Sequence, residues 1–131
     1  MISLSSFKRI QLDECSSTNI VMYEMISNDA KLSNTIITAD FQTAGKGHES
    51  NLWHSEKGKN LIFSLVIKPE QLEAGKQFQL TKAVSLGVHD ALKALLPKAN
   101  ITIKWPNDIY IDAKKVGGIL ISNIIAGNTI T

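Results

Sequence analysis

The sequence predicts an α+β fold, because segments with strand composition surround two segments with helical spacing. Strand patterns, rich in β-branched and apolar residues, cover residues 7–12, 35–39, 60–67, 101–105, 108–111, 115–121, 120–126 and 129–131. Helical patterns cover residues 20–26 and 77–96. Neither an internal repeat nor a linker-like stretch divides the chain, so we expect one domain over residues 1–131.

Composition places the chain among ordinary globular domains. Its 131 residues are 44% hydrophobic and 20% charged, and the net charge of +2 gives no reason to expect a nucleic acid or an anionic membrane as a partner. There is no signal-peptide pattern and no apolar run long enough to span a bilayer. Cys15 is the only cysteine, so a reducing compartment is the default. We therefore expect a cytoplasmic domain that binds neither DNA nor a membrane.

Two segments should supply much of the core. The run 60–67 is almost continuously apolar and ends before Pro69, which predicts a central strand buried on both faces. The longer helix should pack on the sheet and end at Pro97. Its apolar stripe consists of Leu80, Val84, Val88, Ala91, Leu92 and Leu95.

The shorter helix follows a run of turn and cap formers, residues 13–19. Ser17 or Thr18 is suited to the N-cap position, where a hydroxyl accepts a hydrogen bond from the first helical turn. From the residues alone, capping is the favoured role of Ser17, Thr18 and Asn19.

Residues 40–59 form the least regular part of the chain. Gly45, Gly47 and Gly58 alternate with polar and charged residues, and the phosphate-binding pattern Gly-x-x-x-x-Gly-Lys-Ser/Thr is absent. Composition alone favours a mobile surface loop, although loops of this length are often functional. His48 has no second ligand at a metal-binding spacing, so we expect no zinc site. No Ser/His/Asp or Cys/His grouping suggests a nucleophilic hydrolase.

Residues 104–120 hold the strongest functional signal. Lys115 opens an otherwise apolar strand pattern whose interior contains Gly117 and Gly118. Paired glycines weaken a strand unless a ligand must approach the backbone closely. A cation beside bare backbone therefore predicts an anionic ligand that lies flat against the sheet. Without those glycines, a lysine pointing into water would be the preferred interpretation.

Three stretches occur together in a characteristic order. They are Ser16-Ser17-Thr18-Asn19, then Gln42-Thr43-Ala44-Gly45-Lys46-Gly47 with Trp53 behind it, then Lys104-Trp105-Pro106-Asn107-Asp108 followed by Lys115-Val116-Gly117-Gly118-Ile119-Leu120. In this order they closely resemble the signature of biotin protein ligases, also called biotin–[acetyl-CoA-carboxylase] ligases. The resemblance covers roughly residues 7–125.

The resemblance implies a class II synthetase-like catalytic domain, with a mixed, largely antiparallel central sheet and helices packed on it. It also implies a reaction in two steps with biotin, ATP and Mg²⁺. Biotin is first activated to biotinyl-5′-AMP, and it is then transferred to a lysine of a biotin carboxyl carrier protein of acetyl-CoA carboxylase or a related carboxylase. The Mg²⁺ would be held mostly by phosphate oxygens and water, so no metal-ligating residue is predicted.

The resemblance further implies roles for individual residues. Those implied to contact biotin are Ser17, Thr18, Asn19, Gln42, Gly45, Lys46, Gly47, Trp53, Gly117 and Gly118. Those implied to contact the nucleotide are Lys46, His48, Asn51, Trp53, Asn107 and Lys115. Lys115 would bridge the biotin carboxylate and the α-phosphate, and Asp108 would orient or deprotonate the acceptor lysine. Simple turn chemistry after Pro106 also explains Asn107 and Asp108.

The loop departs from the family pattern Gly-Arg-Gly-Arg/Gln-Arg-Gly-Arg-x-Trp. Lys46 keeps a charge but lacks the planar guanidinium that binds phosphate through two parallel hydrogen bonds. Glu49 and Ser50 replace an arginine and a glycine, which makes the loop less cationic and less flexible. These changes bear on ATP affinity and on retention of the adenylate.

Two alternatives stay open. A lipoate ligase or octanoyltransferase shares the fold but lacks the Lys-Trp-Pro-Asn-Asp stretch. A non-catalytic biotin-binding fragment is the other, because Gly127-Asn128 predicts a hairpin whose returning strand has only residues 129–131. We accordingly expect a catalytic domain truncated at its C-terminal end, without a DNA-binding helix-turn-helix. An open strand edge would also suit a homodimer.

Overall fold

The computed structural model describes residues 6–70 and 72–130. The chain divides into two compact units, residues 1–68 and 69–131, which are described separately below. Within the described residues there are eight β-strands and two α-helices.

Unit 1 contains a three-stranded sheet in the order β1-β2-β3. Its strands are β1 (Lys8–Cys15), β2 (Thr35–Gln42) and β3 (Ile62–Val66), and helix α1 (Thr18–Asn28) connects β1 to β2. Strands β1 and β2 are parallel, which requires a crossover such as α1, and β2 pairs with β3 in antiparallel fashion.

The core of unit 1 lies along the central strand β2. Its alternating residues Thr35, Ile37 and Ala39 are buried, as the period of two in a strand dictates. Met22 of α1 is also buried. The predicted burial of β3 on both faces is wrong, because β3 pairs with β2 alone in the described residues and Phe63 is 49% exposed. Ser64 is the buried residue of that strand.

Unit 2 contains a helix and a purely antiparallel three-stranded sheet in the order β4-β5-β6. Its elements are α2 (Gln77–Leu95), β4 (Ile101–Lys104), β5 (Asp108–Ile111), β6 (Lys114–Gly118), β7 (Ile125–Ala126) and β8 (Thr129–Ile130). Helix α2 packs against β4. The buried apolar residues of this unit include Ile101, Ile109 and Ile130.

Strand β6 is shorter than its sequence pattern predicts. It ends at Gly118 instead of residue 121, so the two glycines lie at its end and not in its interior. Beyond it, the Ile119 N–H donates to the Asn107 carbonyl (2.9 Å), and the Asn107 side-chain amide donates to the Ile119 carbonyl (2.7 Å). Asn107 thus forms hydrogen bonds with the N–H and the carbonyl of Ile119, which would pair with the neighbouring strand if β6 were longer.

The end of the described chain forms the predicted hairpin. Strands β7 and β8 pair across Gly127 and Asn128, and Gly127 has the positive φ of 62° that glycine tolerates. Strand β7 covers only Ile125–Ala126, whereas the pattern predicts a strand over residues 120–126. Thr131, the predicted last residue of the returning strand, lies outside the described residues.

The predicted α+β class, with mixed and largely antiparallel pairing, is confirmed. The described strands are distributed over two three-stranded sheets and one two-stranded sheet. The prediction of a single domain over residues 1–131 stays a prediction. Among the described residues, the helices are all too short or too polar to cross a membrane.

Ser85 of α2 should destabilise the fold slightly. It is 3% exposed, and among the described residues its hydroxyl has no hydrogen-bond partner. Burying an unpaired hydroxyl costs roughly 1–3 kcal/mol, so Ser85→Ala should raise the free energy of unfolding by about 1 kcal/mol. Urea denaturation measures this change. A lower free energy of unfolding in the variant would contradict the prediction.

Candidate functional site

The start of α1 is held by a side chain from the neighbouring strand β2. Ser17 occupies the N-cap position and is buried, but its hydroxyl forms no capping hydrogen bond within the described part of the chain. Instead, the Thr18 N–H donates to Oε1 of Gln42 at 2.8 Å. The predicted cap position is therefore confirmed, whereas the predicted capping hydroxyl is replaced by the amide oxygen at the end of β2.

Four polar side chains meet at this helix start. We call Thr18, Asn19, Gln42 and Ser64 the α1 cluster. The Thr18 hydroxyl lies 3.1 Å from Gln42 Oε1 and 2.8 Å from the Ser64 hydroxyl. The Ser64 hydroxyl also donates to Oδ1 of Asn19. Thr18 and Ser64 are only 3% and 7% exposed, so these hydrogen bonds form in a largely dry environment.

Ser64 is a member of the cluster that the sequence motifs do not include. It is the single polar residue in the apolar run 61–67. That isolated hydroxyl is the signal that could have identified it. On β3 it lies opposite Ile37, whose side chain is fully buried.

Residues 45–53 form a narrow hairpin instead of an irregular loop. The Trp53 N–H donates to the Gly45 carbonyl (2.8 Å), and the Gly47 N–H donates to the Asn51 carbonyl (2.7 Å). Lys46 and Leu52 form an antiparallel bridge between these two contacts. A 3₁₀ turn at His48–Ser50 closes the tip. The hairpin brings together Gly45, Lys46, Gly47, His48, Asn51 and Trp53, which the sequence motifs assign to biotin or the nucleotide.

The base of this hairpin is tied to the start of α1. The Thr43 and Ala44 N–H groups donate to the carbonyls of Cys15 (3.0 Å) and Ser16 (2.9 Å). At Gly45, a Cβ atom would lie 2.5 Å from the Trp53 carbonyl oxygen and 2.8 Å from Nε2 of Gln42. Glycine is therefore required where the hairpin, the end of β2 and the α1 cluster approach one another.

Gly45→Ala should destabilise the hairpin, whereas Gly47→Ala should not. Overpacking of this kind costs about 1–3 kcal/mol. At Gly47 an added Cβ would meet its nearest atoms at 3.6 Å, which is ordinary contact, so this variant is the matched control. The free energy of unfolding of the two variants tests the prediction. Equal values would contradict the steric requirement at Gly45.

The charges of the hairpin lie at its surface. Lys46, His48, Glu49 and Asn51 are exposed, whereas Trp53 is half-buried. His48 Nδ1 is 3.9 Å from a Glu49 carboxylate oxygen.

At the end of β1, burial and then the negative charge of Glu14 raise the pKa of the Cys15 thiol. Cys15 is therefore a poor nucleophile at neutral pH.

In unit 2, the two predicted catalytic residues form an ion pair. Lys115 Nζ lies 2.8 Å from Oδ2 of Asp108, and their side chains are 38% and 25% exposed. Asp108 begins β5 opposite Gly118, while Lys115 lies opposite Tyr110 on β6. The antiparallel pairing of β5 and β6 thus brings the cation and the carboxylate together. Their separation in the sequence did not predict this contact.

Packing among the described residues of unit 2 does not require a glycine at position 117. An added Cβ at Gly117 would lie 3.8 Å from the Ile109 side chain, an ordinary contact. Gly118 is exposed, next to the Ile119 carbonyl that Asn107 binds. The side-chain amide of Asn107 therefore has a structural partner, and its predicted contact with a nucleotide stays a prediction.

The sequence pattern of the biotin/lipoate A/B protein ligase family matches residues 12–131. The chain belongs to this family. Among curated relatives, the bifunctional ligase/repressor BirA of Bacillus spizizenii is 39% identical over 111 residues, which cover 85% of this chain and 33% of that protein. The biotin–[acetyl-CoA-carboxylase] ligase of Mycobacterium tuberculosis is 29% identical over 115 residues, covering 84% of this chain and 43% of that protein.

Solved structures of biotin protein ligases share the fold of this family member. The enzyme of Leishmania major in complex with biotinyl-5-AMP matches with a TM-score of 0.74 and 27% identity, over 94% of this chain and 54% of that chain. The enzyme of Aquifex aeolicus in complex with biotin and ATP matches with a TM-score of 0.71 and 31% identity, over 94% and 49%. This chain thus spans about a third to a half of the length of these relatives.

These findings confirm the predicted family and fold class. They leave the individual residue roles as predictions. Within residues 6–70 and 72–130, no three His, Cys, Asp or Glu side chains are grouped as a metal site requires.

Proposed function

We propose that this chain is the part of a biotin protein ligase that binds biotin and activates it with ATP to biotinyl-5′-AMP. Biotin then passes to a lysine of a biotin carboxyl carrier protein of acetyl-CoA carboxylase or a related carboxylase. Family membership and the three motifs support this proposal. So do the complexes of similar enzymes with biotin, ATP and biotinyl-5-AMP.

The α1 cluster is the observation that best supports biotin as the substrate. The fused ring of biotin ends in a cyclic urea with two N–H donors and one carbonyl acceptor. Such a group needs buried polar partners, and the cluster offers amides and hydroxyls at the start of a helix. The ring of lipoate and the chain of octanoate carry no such donors or acceptors. Binding them there would cover the half-buried amide groups of Asn19 and Gln42 without offering them a hydrogen-bond partner, which disfavours such ligands.

Lys115 would act in the first step. A biotin carboxylate oxygen attacks the α-phosphorus of ATP, the bond from this phosphorus to the bridging oxygen breaks, and pyrophosphate leaves. Two anions must meet, so a fixed positive charge stabilises the transition state more than the separated reactants. The Lys115 ammonium pairs with Asp108, which lies opposite the exposed Gly118 at the end of the sheet.

Asp108 would act in the second step. The acceptor lysine must lose a proton before its amine attacks the carbonyl of the mixed anhydride, after which the carbonyl–oxygen bond breaks and AMP leaves. When Lys115 pairs with the ligand's anionic groups, the Asp108 carboxylate becomes available to bind the acceptor ammonium and take its proton. The hairpin residues Lys46, His48, Asn51 and Trp53, together with Asn107, are proposed to contact the nucleotide.

Magnesium would enter this reaction with the nucleotide. The described residues supply no cluster of three metal-ligating side chains, so they do not fit a dedicated magnesium site. Phosphate oxygens and water would hold the ion, in the usual manner of Mg²⁺ bound to ATP. No step assigned to Lys115 or Asp108 depends on it.

Calorimetry of ligand binding to the full chain tests the choice of substrate. Biotin should bind, whereas lipoate and octanoate should give no saturable heat at the same concentrations. Asn19→Ala should weaken biotin binding about tenfold or more, since a lost hydrogen bond to a buried partner costs about 1–3 kcal/mol. Equal binding of lipoate and biotin would contradict the proposal. Sedimentation of the same samples tests the homodimer that an open strand edge would suit, and a monomer at high concentration would count against it.

A further inference from the structure

One face of the sheet β4-β5-β6 carries two lysines, one carboxylate and one tyrosine. Lys104 lies opposite Asp108 in the pairing of β4 with β5, and Tyr110 lies opposite Lys115 in the pairing of β5 with β6. Directly paired residues project from the same face of a sheet, and so do residues two apart on one strand. These four side chains therefore share one face, which we call the lysine face.

Both ammonium groups of the lysine face lie toward the central strand β5. Lys115 Nζ is 2.8 Å from the Asp108 carboxylate, and Lys104 Nζ is 6.0 Å from the centre of the Tyr110 ring. The second contact is a cation–π interaction, which holds an ammonium group without cancelling its charge. Within residues 6–70 and 72–130, no carboxylate forms an ion pair with Lys104.

The lysine face therefore has one more positive charge than negative charges. Asp108 is the carboxylate of this face, and it pairs with Lys115 and not with Lys104, although it lies directly opposite Lys104. An anion above β5 would be attracted by both ammonium groups. A diphosphate has enough charge and enough oxygen atoms to contact both. The charge of this face thus suits a polyphosphate better than a single carboxylate.

We propose that Lys104 and Tyr110 form a subsite for the β- and γ-phosphates of ATP and for the pyrophosphate that leaves. This inference rests on the proposed function, in which Lys115 acts at the α-phosphate. The attacking and leaving oxygens lie roughly in line through the α-phosphorus, so pyrophosphate departs from a place next to the α-phosphate. As the bond to the bridging oxygen breaks, its electron pair passes to pyrophosphate. Lys104 is the second cation of this face and stabilises that charge.

Tyr110 is a positioning residue in this subsite. Its ring holds the Lys104 ammonium group over β5, whereas a lysine side chain is otherwise a flexible four-carbon chain. Tyr110→Phe keeps the ring, so it should retain the wild-type affinity for pyrophosphate. Tyr110→Leu loses the cation–π contact and should weaken pyrophosphate in the same direction as Lys104→Ala. Equal affinities in the two Tyr110 variants would overturn the positioning role.

Calorimetry with inorganic pyrophosphate and the full ligand-free chain tests the subsite without biotin or ATP. Lys104→Ala should bind pyrophosphate about tenfold or more weakly than the wild type, because a charge-assisted contact is lost. Lys104 is exposed, so its removal leaves the core intact. The matched control is Lys114→Ala, which removes the same charge from the opposite face, beside Ile111, and should bind like the wild type. Equal losses in the two variants, or a wild type that does not bind, would overturn the inference.

Kinetics test the place of the subsite in the reaction. In biotin-dependent ATP–pyrophosphate exchange, Lys104→Ala should raise the pyrophosphate concentration for half-maximal exchange about tenfold, in line with the loss of binding. Transfer from preformed biotinyl-5′-AMP involves no pyrophosphate, so its single-turnover rate should equal that of the wild type. A comparable loss in both assays would overturn the inference, because Lys104 would then serve the carrier protein or the fold.

The two experiments separate failure of this inference from failure of the proposed function. A wild-type chain that binds pyrophosphate through Lys104 but catalyses no biotin-dependent exchange would refute the proposed function and support the anion subsite. Biotin-dependent exchange whose pyrophosphate dependence is the same in Lys104→Ala and the wild type would overturn the subsite while the proposed function stands.

Discussion

Lys115→Ala should reduce biotin-dependent ATP–pyrophosphate exchange at least about 100-fold, the usual effect of removing a group that stabilises transition-state charge. The attack of the biotin carboxylate on the α-phosphate brings two anions together. Lys115 lies near the start of β6, and its ammonium pairs with Asp108, which lies opposite Gly118. Its loss leaves this repulsion uncompensated in the transition state.

Lys114→Ala is the matched control for this prediction. Lys114 is the neighbouring residue on β6, is exposed and lies opposite Ile111. Its removal changes the net charge by the same amount, so any general electrostatic attraction of ATP is lost equally in both variants. Only Lys115→Ala should abolish exchange. Equal losses in the two variants would mean that Lys115 contributes only to the overall charge.

Asp108→Ala should impair transfer to the carrier protein about 100-fold or more, the lower range for general base catalysis. Adenylate formation should fall much less. The Asp108 carboxylate lies 2.8 Å from Lys115 Nζ, so its removal takes away a negative charge that competes with anionic ligands for the lysine. The same removal deprives the acceptor ammonium of its carboxylate partner. The variant should therefore lose most of its transfer activity while it keeps most of its adenylate formation.

Two assays are needed to see this separation. Pyrophosphate exchange reports adenylate formation, and a single turnover with preformed biotinyl-5′-AMP and a biotin carboxyl carrier domain reports transfer. Asp108→Asn serves as the control for shape, because it keeps the size of the side chain but lacks the charge. It should behave like alanine in transfer. An equal loss in both assays would instead show that Asp108 acts chiefly by holding Lys115 in place.

The sequence predicted strands and helices accurately where their patterns were long or clearly bounded. The predicted strand at residues 108–111 is confirmed as β5, and the helix predicted at 77–96 is α2 (Gln77–Leu95). Both have a repeating pattern that ends at a clear signal such as a proline or a polar turn. The Gly127-Asn128 hairpin was predictable for the same reason, since its turn residues dictate the geometry.

The parts that could not be predicted depend on partners distant in sequence. Strand β6 ends early because Asn107 binds the backbone of Ile119, a contact that no apolar pattern reveals. The hairpin at residues 45–53 is held by backbone hydrogen bonds, which do not depend on side-chain type. Its glycine-rich and polar composition is therefore the same as that of an irregular loop. Ser64 joins the α1 cluster only because β3 pairs with β2.

The site residues were predicted as separate groups by resemblance, and the structure adds their geometry. Thr18, Asn19 and Gln42 are hydrogen-bonded directly or through Ser64, and Lys115 is paired with Asp108. The order of the motifs in the sequence could indicate which residues belong to the site. It could not show that Gln42 accepts a hydrogen bond from the first N–H of α1, or that Lys115 and Asp108 form an ion pair.

Exchange of labelled pyrophosphate into ATP by the 131-residue chain is the most direct test of the central claim, that this chain activates biotin. If the chain activates biotin, exchange should require biotin, saturate with it and not be supported by lipoate or octanoate. Absence of exchange at saturating biotin and ATP, or equal exchange with lipoate, would contradict it.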